Sequence, residues 1–111
     1  MKPECHQRLN DIAEACAAAG RFTAGKDFAR YQLDEMLRAA VERKLEIIGE
    51  AFTKLEDADP SLAEQFPALR KIVGLRNRII HGYDCVDEEL IWDVVQNKLP
   101  ALQRQVRQIL E

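Results

Sequence analysis

The sequence predicts an all-α protein, an up-and-down bundle of four main helices plus one short helix. Apolar residues recur at every third or fourth position through most of the 111 residues, which is the period of helices that bury one face. No segment shows the two-residue alternation of a half-buried strand. The chain holds only five glycines and four prolines, which leaves few residues for loops. We therefore expect residues 1–111 to form one helical domain around one modest core.

Composition limits both the location and the class of the protein. Hydrophobic residues make up 47% of the chain and charged residues 32%, the balance of a globular domain. No apolar run approaches the ~20 residues that span a bilayer, and the N-terminus lacks the apolar stretch of a secretory signal. The three cysteines, an odd number that argues against a disulfide scaffold, are Cys5, Cys16 and Cys85. These observations predict a cytoplasmic protein with reduced thiols and no membrane association.

The first two predicted helices differ in how much apolar surface they carry. Residues 4–19 have one apolar stripe, and Gly20 is expected to end that helix. Residues 27–55 form the longest predicted helix, with two adjacent stripes. One stripe contains Leu37, Val41, Leu45, Ile48, Phe52 and Leu55, and the other contains Met36, Ala40, Ile47 and Ala51. A surface helix needs less apolar area than this, so we expect burial against several neighbours or against a second copy of the chain.

Gly49 lies in the middle of this long helix. Glycine there costs about 1 kcal/mol relative to alanine. A close approach by another helix would explain why the residue is glycine.

The next helix is bounded by turn and capping signals. Residues 57–60 break the long helix, and residues 61–64 have the form of a capping box that starts a short helix. Pro67 suits the first position of the helix after it. That helix is expected to run to about His81 and to end where Gly82 takes the left-handed conformation.

The last helix begins after Asp87, a typical N-cap residue followed by two glutamates in the first turn. Apolar residues at helical spacing then continue to the C-terminus. Pro100 should kink or restart this helix, because proline lacks the backbone N–H that the helix needs.

Positive charge is concentrated in one short region, although the formal net charge of the chain is −3. Between Glu64 and Asp84 there is no acidic residue. The cations of this region are Arg70, Lys71, Arg76 and Arg78. This local basic region could receive a phosphate group.

The reactive side chains lie in the same region, between Gly74 and Tyr83. The segment contains one of the two histidines and one of the two tyrosines of the chain. RNA can be cut without a metal if one group moves the proton of a 2′-hydroxyl and another stabilises the charge of the phosphorane. His81 suits the first role, because imidazole exchanges protons near neutral pH. Arg76 suits the second, because its fork of donors matches phosphate oxygens.

The spacing of these residues places Arg76 and His81 on different sides of their helix. They are five residues apart, about 140° around an ideal helix. Asn77 shares the side of His81 and could orient the imidazole. A second copy of the motif across a dimer axis would let Arg76 and His81 converge from two chains. Arg78 could help to bind RNA, although a solvated surface charge explains it equally well.

Two other interpretations apply to the same residues. An arginine and a histidine at a helix end are most often surface residues, with the histidine placed favourably at the helix C-terminus. Cys5 and His6 together with His81 and Cys85 could suggest zinc, but their spacings fit no ordinary zinc pattern. We expect neither a metal site nor a cofactor.

The pattern Arg-x4-His-x-Tyr, formed by Arg76, His81 and Tyr83, resembles the signature of HepT-like HEPN toxins. Residues 40–51 are similar to the long-helix box of that family, and residues 74–77 are similar to the approach to its histidine. The pairs Ile91-Trp92 and Leu99-Pro100 resemble its ending. The resemblance covers about residues 27–102, and the order of these boxes is strongly specific.

The resemblance implies a dimeric, metal-independent endoribonuclease toxin with a composite cleft between protomers. Its usual partner is a nucleotidyltransferase antitoxin of the MNT type, which transfers AMP to the tyrosine of the motif, here Tyr83. The added charge and bulk should exclude RNA. The alternative is a noncatalytic HEPN dimer that holds a minimal nucleotidyltransferase as a scaffold or substrate.

Overall fold

The computed structural model describes residues 1–82 and 86–111, which form seven α-helices and one π-helical turn. The helices are α1 (Pro3–Thr23), α2 (Phe28–Leu33), α3 (Glu35–Ala58), α4 (Pro60–Ala63), α5 (Leu69–Ile80), α6 (Glu88–Asp93) and α7 (Leu99–Leu110). The π-helical turn Val94–Lys98 joins α6 to α7 in one rod. No described residue belongs to a β-strand.

The four main helices are α1, α3, α5 and the C-terminal rod, which confirms the predicted all-α bundle. The longest helix, α3, packs against α1 on one side and against α5 on the other, and α1 also packs against α7. Two short helices, α2 and α4, accompany them in the described part of the chain, where the sequence predicted one. None of the helices in these residues has the length and apolar character that crossing a membrane requires.

The single long helix predicted over residues 27–55 is divided at Asp34. This residue has an extended backbone (φ −106°, ψ 95°), and its carboxylate accepts a hydrogen bond from the backbone N–H of Leu37 at 3.0 Å. The carboxylate of Asp27 accepts a hydrogen bond from Arg30 N–H at 2.8 Å in the same way. Each aspartate satisfies a free donor of a helix start. The prediction of one continuous helix was wrong because both caps lie inside an unbroken apolar pattern.

Two other predicted helix ends also differ from the structure. Helix α1 passes through Gly20 and ends at Thr23, since a glycine in an exposed turn weakens a helix without stopping it. Helix α4 is capped by Asp59, whose carboxylate accepts a hydrogen bond from Leu62 N–H at 3.1 Å. The capping box predicted from Ser61 is therefore two residues too late.

The core is built around α3. All six residues of its first apolar stripe are buried. In the second stripe Ala51 is buried, Ala40 and Ile47 are half-buried, and only Met36 is exposed. The additional apolar surface of α3 is thus mostly covered within the chain, chiefly by α1. Met36 remains 82% exposed and the neighbouring Leu33 86% exposed.

The C-terminal rod begins and is restarted where the sequence predicts. The carboxylate of Asp87 accepts a hydrogen bond from Leu90 N–H at 3.1 Å, which confirms it as the N-cap of α6. Pro100 lies in the first turn of α7. Because it has no N–H to donate, the preceding turn rearranges, and the N–H of Leu99 bonds to the carbonyl of Val94, five residues earlier. The helix is thereby restarted as expected.

Candidate functional site

Helix α5 has a buried face and an exposed, basic face. Its buried residues are Leu69, Ile72 and Leu75. Its exposed polar residues are Arg70, Lys71, Asn77 and Arg78. The helix begins at Leu69, two residues later than the start predicted at Pro67, which lies in the preceding turn. It ends as predicted: Gly82 takes a φ of +61°, the left-handed conformation that closes a helix.

Arg76 lies where α5 comes closest to α3, directly over Gly49. A Cβ atom at position 49 would be 2.4 Å from the Cβ of Arg76, 2.9 Å from its Cγ and 3.4 Å from the backbone oxygen of Ile72. Only glycine leaves room for the arginine stem at this distance. This contact confirms the expected reason for Gly49. It also makes Arg76 half-buried, although a largely exposed residue was expected.

The guanidinium of Arg76 has one buried nitrogen and one nitrogen that is hydrogen-bonded to Asn77. Its Nε atom is buried and has no hydrogen-bond partner among the described residues. Its Nη1 atom donates a hydrogen bond to Oδ1 of Asn77 at 3.2 Å. A buried donor without a partner costs about 1–3 kcal/mol. A cost of that size, next to a glycine that fixes the stem, indicates a side chain placed for a role other than packing.

His81 is exposed and follows the last residue of α5. Its backbone N–H donates to the carbonyl of Asn77 at 3.1 Å, and the N–H of Gly82 donates to Ile79 at 3.3 Å. His81 therefore has a fixed backbone at the helix end, on the exposed side of α5, whereas Arg76 enters from the α3 side. Asn77 contacts both residues, through its side chain for Arg76 and its backbone for His81. Its predicted role in orienting the imidazole remains a prediction.

The remaining predicted site residues are divided between the exposed surface and the part of the chain that is not described. Arg78 is exposed on the outer side of α5. Tyr83 lies outside the described residues, and so does Cys85 of the zinc alternative. The other members of that alternative, apart from His81, are a fully buried Cys5 and an exposed His6 on α1. Residues 1–82 and 86–111 contain no group of three or more His, Cys, Asp or Glu that could hold a metal ion.

Tyr31 is a buried residue that the sequence did not single out. It is 1% exposed and packs on Trp92, with ring centroids 5.3 Å apart. Its hydroxyl has no hydrogen-bond partner among the described residues. Burial raises its pKa, and the nearby Glu42 and Glu88 raise it further. The aromatic spacing of Phe28 and Tyr31 in one short helix was the signal available in the sequence.

The carboxylates near Tyr31 are held close to one arginine. Arg38 and Glu88 form an ion pair at 3.7 Å that joins α3 to α6. Burial raises the pKa of Glu42, an effect that Arg38 partly offsets. Glu42 lies two helical turns before Gly49 on the side of α3 that faces α5.

Fold and charge together define a small helical-bundle protein with a basic surface suited to an anionic ligand. Comparison with known families makes the class specific. A family model described as "Ribonuclease HepT-like" matches residues 12–109. The chain belongs to this HepT-like ribonuclease family, a class of enzymes that act on RNA.

Several proteins are similar over almost the whole chain. "Putative RNase MJ1380" of Methanocaldococcus jannaschii is 36% identical over 88% of this chain and 89% of its own length. "Putative RNase TTE0752" of Caldanaerobacter subterraneus subsp. tengcongensis is 32% identical over 93% and 91%. "Probable ribonuclease HepT" of Thermococcus cleftensis is 34% identical over 92% of each chain. No solved structure gives a significant match.

Proposed function

We propose that this chain is a metal-independent endoribonuclease toxin of the HepT type, with Arg76 and His81 as its catalytic residues. Asn77 and Arg78 support the site. The observation that carries this proposal is the placement of Arg76. Its stem lies over Gly49, its Nη1 bonds to Asn77, and its Nε is buried without a hydrogen-bond partner among residues 1–82 and 86–111. Such a guanidinium is positioned before any ligand arrives, as electrostatic catalysis requires.

The proposed reaction uses the 2′-hydroxyl of RNA as the nucleophile. His81 takes the hydroxyl proton as the 2′-oxygen bonds to the adjacent phosphorus. The phosphorane that forms carries additional negative charge, which the Arg76 guanidinium stabilises. The bond from phosphorus to the 5′-oxygen then breaks, and that oxygen takes up a proton. The products are a 2′,3′-cyclic phosphate and a 5′-hydroxyl, and no metal ion enters any step.

A homodimer would complete this site. The stem of Arg76 contacts α3, while His81 is exposed, and a spacing of five residues places them about 140° apart around an ideal helix. Ile80, immediately before His81, is 43% exposed, and Leu33 and Met36 are more exposed still. Leu33 and Met36 lie close together, at the end of α2 and the start of α3, and a contiguous exposed apolar patch is typical of a surface that another chain covers. We propose that a second HEPN-type domain, residues 1–111 of another copy, does so and supplies the converging residue.

A nucleotidyltransferase of the MNT type is the proposed partner that switches the enzyme off. The Tyr83 hydroxyl would attack the α-phosphorus of ATP, forming the tyrosine–AMP bond and releasing pyrophosphate. The added phosphate places a negative charge close to the basic end of α5 and competes with RNA for it. This part of the proposal is supported by the resemblance at Tyr83 and by the basic residues of α5.

Expression of the chain without a partner tests the catalytic proposal. We expect growth arrest and RNA cleavage, and loss of cleavage by at least about 10²-fold in Arg76→Ala and His81→Ala. Cleavage should not respond to EDTA. Matched controls are Arg104→Ala on α7 and His6→Ala on α1, which remove an exposed arginine and the only other histidine. Parental cleavage by either α5 variant would show that the assigned roles are wrong, and an inactive parent chain would favour the noncatalytic scaffold.

Mass spectrometry after co-expression with a nucleotidyltransferase tests the modification. We expect AMP on Tyr83 and an inactive dimer. The chain has two tyrosines, and Tyr31 is 1% exposed, so Tyr83→Phe should remove the modification completely and leave cleavage intact. An inactive complex with unmodified Tyr83 would instead indicate inhibition by steric blockage.

A further inference from the structure

Gly74 is a mid-helix glycine that no contact within the described chain requires. A Cβ atom at this position would meet no heavy atom within 4 Å, and its φ is not positive. Glycine in an exposed helix interior costs about 1 kcal/mol relative to alanine. Gly20 on α1 is open in the same way, so the glycine alone indicates no ligand. What distinguishes Gly74 is the charge of the residues beside it on α5.

The charged residues of α5 near Gly74 are all positive. Lys71, Gly74 and Arg78 lie one above the other on one side of α5 and lead toward His81. All of them are exposed. Helix α5 contains no acidic residue, and Arg70 at its edge already pairs with Glu56 at 2.7 Å. The open position at Gly74 is therefore enclosed by cations that suit a polyanion.

A cavity continues this basic surface beyond the N-terminal end of α5. It has a volume of about 400 Å³, and Lys71 on α5 and Lys98 on the C-terminal rod both line it, together with Asn97 and Gln105. Lys71 thus borders both the cavity and Gly74. Two separate structural elements contribute positive charge to one continuous surface.

We infer that this surface, the α5 track, holds the backbone of an RNA strand away from the cleavage position. The track consists of Lys98 and Lys71 at one end, Gly74 in the middle and Arg78 at the end near His81. A phosphodiester lies over the bare backbone of Gly74, between the side chains of Lys71 and Arg78. The inference rests on the proposed function in one respect, that RNA is the substrate, and extends it by naming where the strand is held.

Charge favours RNA over a second copy of the chain as the occupant. A symmetric dimer contact at Gly74 would bring two copies of the same face together. Lys71 and Arg78 of one chain would then meet the same cations of the other, and like charges in contact disfavour binding. A phosphate backbone supplies the opposite charge. Its path is also suitable, since Gly74 and His81 are about 10 Å apart along the helix axis.

The test measures binding separately from cleavage. The probe is a fluorescently labelled, fully 2′-O-methylated oligoribonucleotide, which lacks the nucleophilic hydroxyl and stays intact. Its anisotropy is followed against protein concentration at several salt concentrations. The variants are Gly74→Gln and the matched Gly20→Gln, which place the same neutral side chain on two exposed helical glycines with open space above them.

We expect Gly74→Gln to weaken binding on the order of tenfold, because neighbouring phosphate contacts are lost together. Gly20→Gln should bind as the parent does. Lys71→Gln and Lys98→Gln should each weaken binding about threefold, the scale of one exposed charge pair. Each should also reduce the slope of log K against log salt by about 0.7, the value for one phosphate contact on a single strand.

Three results would overturn the inference. Parental binding by Gly74→Gln would show that nothing passes over this residue. A change of oligomeric state in Gly74→Gln, measured by light scattering, would make Gly74 a subunit contact. Lys71→Gln and Lys98→Gln lie on different elements. If the slope of log K against log salt were unchanged in both variants, the α5 track would be refuted even if Gly74→Gln folded poorly. If Gly74→Gln bound RNA weakly while Arg76→Ala still cleaved it, the α5 track would stand and only the catalytic assignment would be refuted.

Discussion

Gly49 and Gly74 are both glycines in the interior of main helices, yet their surroundings are opposite. Gly49 on α3 is buried, and the stem of Arg76 fills the space where its side chain would be. Gly74 on α5 is exposed, and the space above it is open. Both lower the intrinsic stability of their helices by a similar amount. Within the described residues, Gly49 receives a compensating contact and Gly74 does not.

The difference separates two uses of the same residue type. At Gly49 the missing side chain lets one helix bring a reactive group to a fixed place, so the benefit is already present in the free protein. At Gly74 the benefit comes only when a ligand is bound. Substitution of a glycine that packing explains should change both stability and activity. Substitution of a glycine reserved for a ligand should change ligand binding alone.

The largest effect should come from Gly49→Ala. The new methyl group would overlap the Cβ of Arg76, which is too close to the backbone of α5 to move by itself. We expect a destabilisation of about 1–3 kcal/mol from overpacking, partly offset by the better helix propensity of alanine. RNA cleavage should fall about 10²-fold, the effect of displacing a catalytic group by roughly 1 Å. Thermal unfolding and cleavage assays measure the two effects.

Gly20→Ala is the matched control, because it adds a methyl group to an exposed helical glycine with no neighbour within 4 Å. It should stabilise the protein by up to about 1 kcal/mol and leave cleavage unchanged. If Gly49→Ala behaved in the same way, the close contact with Arg76 would have no energetic or functional importance, and the contrast with Gly74 would disappear.

A smaller effect is expected from Asn77→Ala, which removes the hydrogen bond to Nη1 of Arg76 but keeps the contact at Gly49. Asn77 is exposed, so the free energy of unfolding should change by less than about 0.5 kcal/mol. The rate constant for cleavage should fall a few-fold, on the scale of about 1 kcal/mol for one hydrogen bond. In the background of Arg76→Ala, Asn77→Ala should cause no further loss; an additive loss there would mean that Asn77 acts independently of the arginine.

The smallest effect is expected from Glu42→Gln. Glu42 lies on the same side of α3 as Gly49, the side that faces α5. Burial raises the pKa of Glu42 in the folded protein. Its ionised form therefore opposes folding above that pKa, and the opposition disappears below the ordinary pKa of glutamate. Glu42→Gln should stabilise the protein at pH 7 by less than about 1 kcal/mol. This gain should shrink as the pH falls and vanish below about pH 4.

Thermal unfolding across this pH range would measure the gain, with Glu14→Gln on α1 as a control for the loss of one exposed charge. A gain that persisted at low pH would have a cause other than ionisation. A loss of stability at neutral pH would mean that Arg38 stabilises the carboxylate more than burial disfavours it.

The sequence was sufficient to predict the helices that bury a continuous apolar stripe. It was also sufficient to predict the caps that follow a break in such a stripe. The apolar period identified the core face of α3, and Asp87 and Gly82 correctly marked a helix start and a helix end. The cap at Asp34 was missed because the apolar pattern continues across it. Hydrophobic spacing contains no information about which aspartate accepts a hydrogen bond from a nearby backbone N–H and caps a helix. Pro67 failed for a related reason: its fixed φ suits a turn as well as a helix start.

The candidate site could be proposed from its composition, but its geometry could be predicted only in part. Arg76 and His81 were chosen for the chemistry of their side chains, and their catalytic roles stay a prediction. The burial of Arg76 Nε and the contact between Arg76 and Asn77 depend on how closely α5 approaches α3. That distance is a tertiary property, and the sequence indicated it only through the presence of Gly49. The burial of Tyr31 could not be predicted for the same reason, since it depends on packing against Trp92, which is distant in the sequence.

The π-helical turn at Val94–Lys98 determines where the C-terminal rod can gain or lose a residue. Such a turn is an α-helix that accommodates one additional residue. Deleting one residue within it, such as the exposed Asn97, would restore an ordinary turn and keep the same side chains of α7 against the core. Deleting one residue within α7, such as Ala101, would rotate the rest of that helix by about 100° and bring Arg107 to the place of Val106. Length variation among related chains should therefore be found at this turn rather than within α7.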